Sequence, residues 1–256
     1  MLKYELHEDY KNLKDLLPKI TDIFQNNGTT IYKIRNEIKI IEVDGIKLCI
    51  KSFGQPRIIN RFVYAFLRKS KAHRSYINSK RLLSKGINTP QPVAWIEFRN
   101  SNRFISKSYY ISLYEEHDFT MEKVMNGEEQ NREEIIKGFA HFVHSKLHRH
   151  GILHYDLGPG NILIKETDGA YSFSVVDVNR MSFKKRLSNR QRYSNLRRSG
   201  GGPIEISMLA KYYSTLQNQD PILGTLRLGF SKYRFQKLRG MRKSIFAPFK
   251  RSAIAR

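Results

Sequence analysis

A chain of 256 residues can bury a sizeable core, and its 40% hydrophobic content argues against wholesale disorder. Its one cysteine, Cys49, excludes an internal disulfide framework and fits a reducing compartment. The formal net charge of +23 implies an anionic partner: nucleic acid, an anionic membrane leaflet or a phosphorylated glycolipid, among which composition does not choose.

The chain opens without an apolar signal region, and no apolar run approaches the roughly twenty residues of a membrane span. The expectation is a soluble, cytoplasmic protein whose membrane contact is peripheral. Residues 1–25 mix charge with a helical apolar pattern (Leu13, Leu16, Leu17, Ile20, Phe24), which Pro18 should shorten or break. Strands are predicted over 29–34, 38–43 and 46–53, the last two joined by the hairpin turn Asp44-Gly45. Lys51 lies in the third strand on the face of Cys49 and Phe53, where an ammonium group needs a partner.

Residues 55–71 are basic and aromatic, and either bind an anion or pack on the fold. A helix is predicted over 72–85, and Pro90 and Pro92 then lead an extended path into a strand. A further strand is expected over 109–114, broken by residues 115–117. Apolar spacing from Ile135 to Leu147 predicts a helix. His141, His144 and His148 share one side of it, as a solvated basic face or, less favourably, as metal ligands.

The segment 150–181 carries the chemistry. His154, Asp156 and Asn161 stand in the pattern H-x-D-x-x-x-x-N, followed by two apolar runs joined at Thr167-Asp168-Gly169, the second delivering Asp177. Phosphoryl transfer asks a protein mainly for positioning and charge neutralisation. One Asp must take or orient the proton of the attacking hydroxyl, and hard oxygen ligands must hold Mg²⁺ against the nucleotide phosphates. Asp156 fits the first role, Asn161 and Asp177 the second. His154 reads as a buried brace for the loop.

A cationic run follows over 184–198, then a loop expected to be flexible, Ser199-Gly200-Gly201-Gly202-Pro203, and a helix over 204–216. From Pro221 onward there is no acid, and aromatic and aliphatic residues interleave with Arg and Lys. That composition suits a peripheral membrane segment, a nucleic-acid-binding tail, or a terminal helix docked on the fold.

The motifs His-Tyr-Asp-Leu-Gly-Pro-Gly-Asn and Asp-Val-Asn-Arg-Met resemble those of the lipopolysaccharide core kinases, which phosphorylate Kdo or heptose sugars and belong to the protein-kinase-like superfamily. The resemblance implies an α+β, two-lobed, protein-kinase-like fold. Residues 1–256 would form a single domain, with a strand-rich small N-lobe of about 1–114 and a mainly helical C-lobe of about 117–256. It implies ATP and Mg²⁺ as cofactors and a sugar hydroxyl of lipopolysaccharide, or another anionic glycolipid, as acceptor. It also implies peripheral contact with the anionic inner-membrane leaflet, with nucleic acid the weaker alternative. Asp156 would be catalytic, Asn161 and Asp177 would bind metal, and Lys51 would contact the α- and β-phosphates. The turn before the second strand carries Arg35 and Asn36 where kinases usually place glycines, and Arg35 either touches phosphate or is an ordinary turn residue. Two departures from protein kinases, Gly158 and the triplet Asp177-Val178-Asn179, suit a glycan or small-molecule acceptor. A third is more serious: the helix that should pair a Glu with Lys51 has Ser75 there and no acid at all. Kinases of other small molecules or of proteins, and a catalytically weak pseudokinase binding membrane or RNA, remain rival readings.

Overall fold

In a computed structural model, which describes residues 1–54, 69–102 and 104–251 (side chains of 242–251 excepted), the chain divides into two units. Residues 1–117 with 174–181 form the first, and residues 118–173 with 182–256 the second. Most of the basic, aromatic stretch of 55–71 lies outside the described residues.

The first unit is built on one antiparallel sheet. Its strands are β1 (Leu2–Leu6), β2 (Thr29–Lys33), β3 (Asn36–Val43), β4 (Ile46–Phe53), β5 (Pro92–Arg99) and β6 (Ile105–Leu113), in the order β1-β5-β6-β4-β3-β2. Asp44 and Gly45 both adopt positive φ, as the two-residue turn between β3 and β4 requires. Strand alternation then sorts the core into two layers. Leu48 and Ile50 of β4, Ala94 and Ile96 of β5, and Tyr109 and Ile111 of β6 pack with helix α1 (Leu16–Asn26), which contributes Leu16, Leu17, Ile20 and Phe24. The opposite face presents Phe53, Trp95 and Tyr110 to Ala72, Tyr76 and Ile77 of helix α2 (Lys71–Leu83).

Two expectations for the N-terminus are corrected. Pro18 does not break α1, because it is the third helical residue and no intrahelical donor is required of it there. Leu2–Leu6 is not part of a helical segment: it pairs with β5 in register Tyr4↔Ile96 and forms one edge of the sheet. The predicted helix over 72–85 is α2, started by Ser70, whose hydroxyl accepts from the His73 N–H.

The second unit is mainly helical: α3 (Met121–Met125), α4 (Arg132–His141), α5 (Asn189–Leu196), α6 (Pro203–Thr215) and α7 (Pro221–Arg251). A π-helical stretch, Phe142–His148, extends α4. Short strands β7 (Phe119–Thr120), β9 (Ile162–Thr167) and β10 (Ala170–Val175) make a small sheet, and β8 (Ile152–His154) pairs with β11 (Met181–Phe183). The β9–β10 turn places Asp168 and Gly169 at positive φ, as the sequence predicts. Within the cationic run, α5 was not foreseen; its start is a capping box formed by Ser188 and Gln191. The loop at 199–202 is packed rather than free. Ser199 is buried, and Gly200 lies so close to Pro159 that a Cβ would collide with it.

Candidate active site

The predicted residues fall in both units: Arg35, Asn36, Lys51 and Asp177 in the first, Asp156 and Asn161 in the second.

In the second unit, apolar Ile152 and Leu153 anchor β8 in the core and deliver His154, which is fully buried. Its Nδ1 accepts from the Asp156 backbone N–H at 3.1 Å, the bracing arrangement its position suggested. Beyond it the loop closes on itself. The Asn161 Nδ2 donates to the Asp156 carbonyl at 2.8 Å, and the Asn161 N–H donates to the Gly158 carbonyl at 3.0 Å. With Nδ2 so committed, Oδ1 is the atom Asn161 has left to offer a cation. Arg198, just past α5, donates from Nη1 to Asp156 Oδ1 at 2.9 Å.

A buried relay holds this loop from behind. Asn195 Nδ2 donates to the His154 carbonyl at 2.6 Å, so its Oδ1 must be the acceptor for His148 Nε2–H at 3.0 Å. His148 Nδ1 therefore accepts from the Tyr213 hydroxyl at 2.5 Å. Burial pushes the His148 imidazole down to about 4, so it is neutral at physiological pH. This corrects the expected solvated face at His148, which is buried, while His141 is exposed. The metal alternative fails as well, since among the described residues no three His, Cys, Asp or Glu side chains gather as a metal cluster.

In the first unit, Lys51 and Asp177 meet. Nζ lies 2.8 Å from Asp177 Oδ1, and the lysine side chain is only 12% exposed. The acid missing at Ser75 is thus replaced, in this structure, by Asp177 itself. Asn179 Nδ2 donates to the same Oδ1. Asp177 sits at positive φ, a conformation Asp tolerates better than most residues. Its segment is tied into the unit by long-range bonds. Buried Asn78 of α2 donates to the Val178 carbonyl at 2.7 Å, and Thr89 donates to the Val175 carbonyl at 2.7 Å. Asp177 and Asn161 both carry the hard oxygen donors that suit Mg²⁺.

Positive charge gathers around this acid. Lys51 and Lys71 Nζ stand 5.5 and 5.6 Å from the Phe53 ring centroid. Burial, then the charge of Arg180, push Lys71 below the usual lysine range, while Asp177 acts in the opposite sense and Lys51 and Arg35 add to the lowering. Asn36 pairs with Phe53 across β3 and β4, so Arg35, Asn36 and Lys51 share one end of the sheet. Arg35 is exposed at the turn. Sequence reasoning missed Asn78 and Asn195, and took Lys71 and Arg198 only as members of the basic stretches 55–71 and 184–198. None belongs to a motif, and Asn78, Asn195 and Arg198 reach their partners across 100, 41 and 42 residues.

A protein-family model described as the lipopolysaccharide kinase (Kdo/WaaP) family matches residues 54–200, a span that holds Asp156, Asn161 and Asp177 but not Lys51. Among solved structures, the chain is similar to "WaaP in complex with acyl carrier protein", at 17% identity and a TM-score of 0.60, over 92% of this chain and 99% of that one. It is also similar to the "Rio2 kinase-ADP/Mg2+-phosphoaspartate complex" from Chaetomium thermophilum, at 14% identity and a TM-score of 0.51, over 96% of this chain and 78% of that one. No curated protein sequence matches. At these identities the two structures speak for the fold alone, and the fold is α+β and protein-kinase-like.

Proposed function

The chain belongs to the lipopolysaccharide kinase (Kdo/WaaP) family, and from that premise we propose that it moves the γ-phosphoryl group of ATP to a sugar hydroxyl of the lipopolysaccharide inner core, on Kdo or heptose. The acceptor oxygen forms the new bond to phosphorus, the bond from phosphorus to the β,γ-bridging oxygen breaks, and ADP leaves. The hydroxyl proton goes to Asp156. Lys51, with Lys71 beside it on the Phe53 ring, holds the nucleotide phosphates, and the Arg35-Asn36 turn covers them. Asn161 Oδ1 and the Asp177 carboxylate would hold Mg²⁺, which would supply positive charge against the negative charge that develops in transfer. The observation that carries this reading is the family match across Asp156, Asn161 and Asp177, joined to a loop in which Asn161 is already fixed on the Asp156 carbonyl.

The test is mass analysis of lipopolysaccharide from cells with and without the protein, where one phosphate's difference is expected. Purified protein should transfer phosphate from ATP to that acceptor, and Asp156→Ala should lower the rate by roughly 10²–10⁴-fold. Equal inertness of both proteins, with lipid or RNA binding retained, would favour the non-catalytic binding reading.

Peripheral attachment to the anionic leaflet of the inner membrane completes the proposal, with α7 as the docking element. Among the described residues no helix is long and apolar enough to cross a membrane. Leu228 and Gly224 turn one side of α7 inward, and Gly224 has no room for a Cβ beside Ser214. The opposite side exposes Ile222, Leu226, Phe230 and Tyr233. Arg227, Arg234 and Lys237 flank that stripe, and no acid follows Pro221. Each cation near an anionic leaflet contributes about 1 kcal/mol. The protein should float with vesicles containing phosphatidylglycerol and stay behind with neutral ones. Because the solved WaaP is in complex with acyl carrier protein, that protein is the control partner. Its capture without vesicle flotation would reassign the α7 face.

A further inference from the structure

We infer that Arg198 is a positioning residue of phosphoryl transfer, supplying from beyond α5 the cation that the catalytic loop lacks at Gly158. The inference rests on the kinase reading above and adds a residue that no motif contains. Two positions after Asp156 the loop carries glycine, and so no side chain that could hold the carboxylate. Arg198 does so from 42 residues further along, with Nη1 at 2.9 Å from Asp156 Oδ1.

The pair is not an ordinary surface ion pair. Both side chains are 34% exposed, so the contact is open to a ligand, yet Arg198 is also held from a second side, and its segment is tied down. Its guanidinium lies 4.8 Å from the Phe235 ring of α7, beside that of Arg197 at 4.7 Å. From the same helix Lys232 donates to the carbonyls of Gly200 and Gly201 at 2.6 and 2.8 Å. Gly200 in turn lies against Pro159 of the catalytic loop. Helix α7 thus clamps residues 197–201 onto the loop that carries Asp156. An exposed ion pair alone contributes little to stability, so a guanidinium held between Asp156 and the Phe235 ring, on a segment itself clamped by α7, serves geometry better than it serves folding. The bond to Arg198 sets the orientation of the carboxylate that receives the acceptor proton. Arg198 itself exchanges no proton and forms no covalent bond.

The experiment uses the full chain, [γ-³²P]ATP with Mg²⁺, and lipopolysaccharide extracted from cells lacking the gene. Arg198→Ala should lower kcat about 10²-fold, the scale of a misplaced reacting group, and leave KM for ATP within about twofold. Arg198→Lys should recover roughly a tenth of the wild-type rate. Guanidinium ion at millimolar concentration should rescue Arg198→Ala in proportion to its concentration, and should do nothing for Asp156→Ala. A merely structural arginine would not answer to guanidinium. Thermal melting accompanies each variant, and if Arg198→Ala melts below the assay temperature, Arg198→Gln carries the same comparison. Wild-type kcat in these variants, or a loss that neither Lys nor guanidinium relieves, overturns the inference and leaves the kinase reading standing. Absence of transfer by the wild type overturns both.

Discussion

Lys51 shows what a buried ammonium group does when the helix beside it has no acid. Its side chain is mostly covered, so an unpaired charge there would be costly, and Asp177 supplies the carboxylate at 2.8 Å. In the proposed reaction that carboxylate would also hold the metal, and the Lys51 ammonium, with three N–H donors, would contact the nucleotide phosphates as well. Lys51→Ala should therefore weaken ATP binding by at least tenfold, measured by calorimetry, with less effect on adenosine, which has no phosphates to lose. Asn78 acts one step away, through its bond to the Val178 carbonyl. Asn78→Leu would leave that carbonyl without its donor, at about 1–3 kcal/mol, readable as a lower urea midpoint at unchanged slope. The motif residues were legible because their spacing is local: Asp156, Asn161 and the turn to Asp177 follow one another along the chain. Asn78, Asn195 and Arg198 were not, because their partners are brought close only by tertiary packing.

At the scale of elements, the β3–β4 and β9–β10 hairpins were readable from Asp44-Gly45 and Asp168-Gly169, since few other residues accept positive φ twice in succession. Edge strand β1 was hidden because its pairing with β5 spans some ninety residues. The π-helical stretch Phe142–His148 was read as regular helix, which put His148 on the wrong side. Its burial has a pH consequence. In the unfolded chain this imidazole takes its proton near 6.5, but in the fold, facing Tyr213, Asn195, Arg192 and His144, it does so only near 4. The unfolded state then binds more protons through that window, so the stability tied to neutral His148 is complete above pH 6.5 and falls as pH drops toward 4. Urea unfolding at pH 7 and pH 5 should show wild type losing about 2 kcal/mol more than His148→Gln does. Equal losses would mean the imidazole is not held neutral.

For the whole molecule the dominant quantity is the net charge of +23, which the sequence showed at once, although it could not show where the cations meet apolar surface. The structure adds that second fact in α7, whose outward stripe of Ile222, Leu226, Phe230 and Tyr233 stays uncovered beside Arg227, Arg234 and Lys237. The two contributions respond differently to salt. Screening over a Debye length of about 10 Å at 0.1 M, and about 3 Å at 1 M, weakens attraction to an anionic leaflet, while burial of apolar side chains is indifferent to it or is strengthened by some salts. Vesicle binding by the wild type should therefore fall more than tenfold between 0.05 and 0.5 M NaCl yet not vanish. A variant with Leu226→Ser and Phe230→Ser should bind at low salt, through charge alone, and lose all detectable binding at 0.5 M. If the double variant keeps the wild-type residue of binding at high salt, the apolar stripe does not enter the lipid, and attachment rests on charge spread over the rest of the protein.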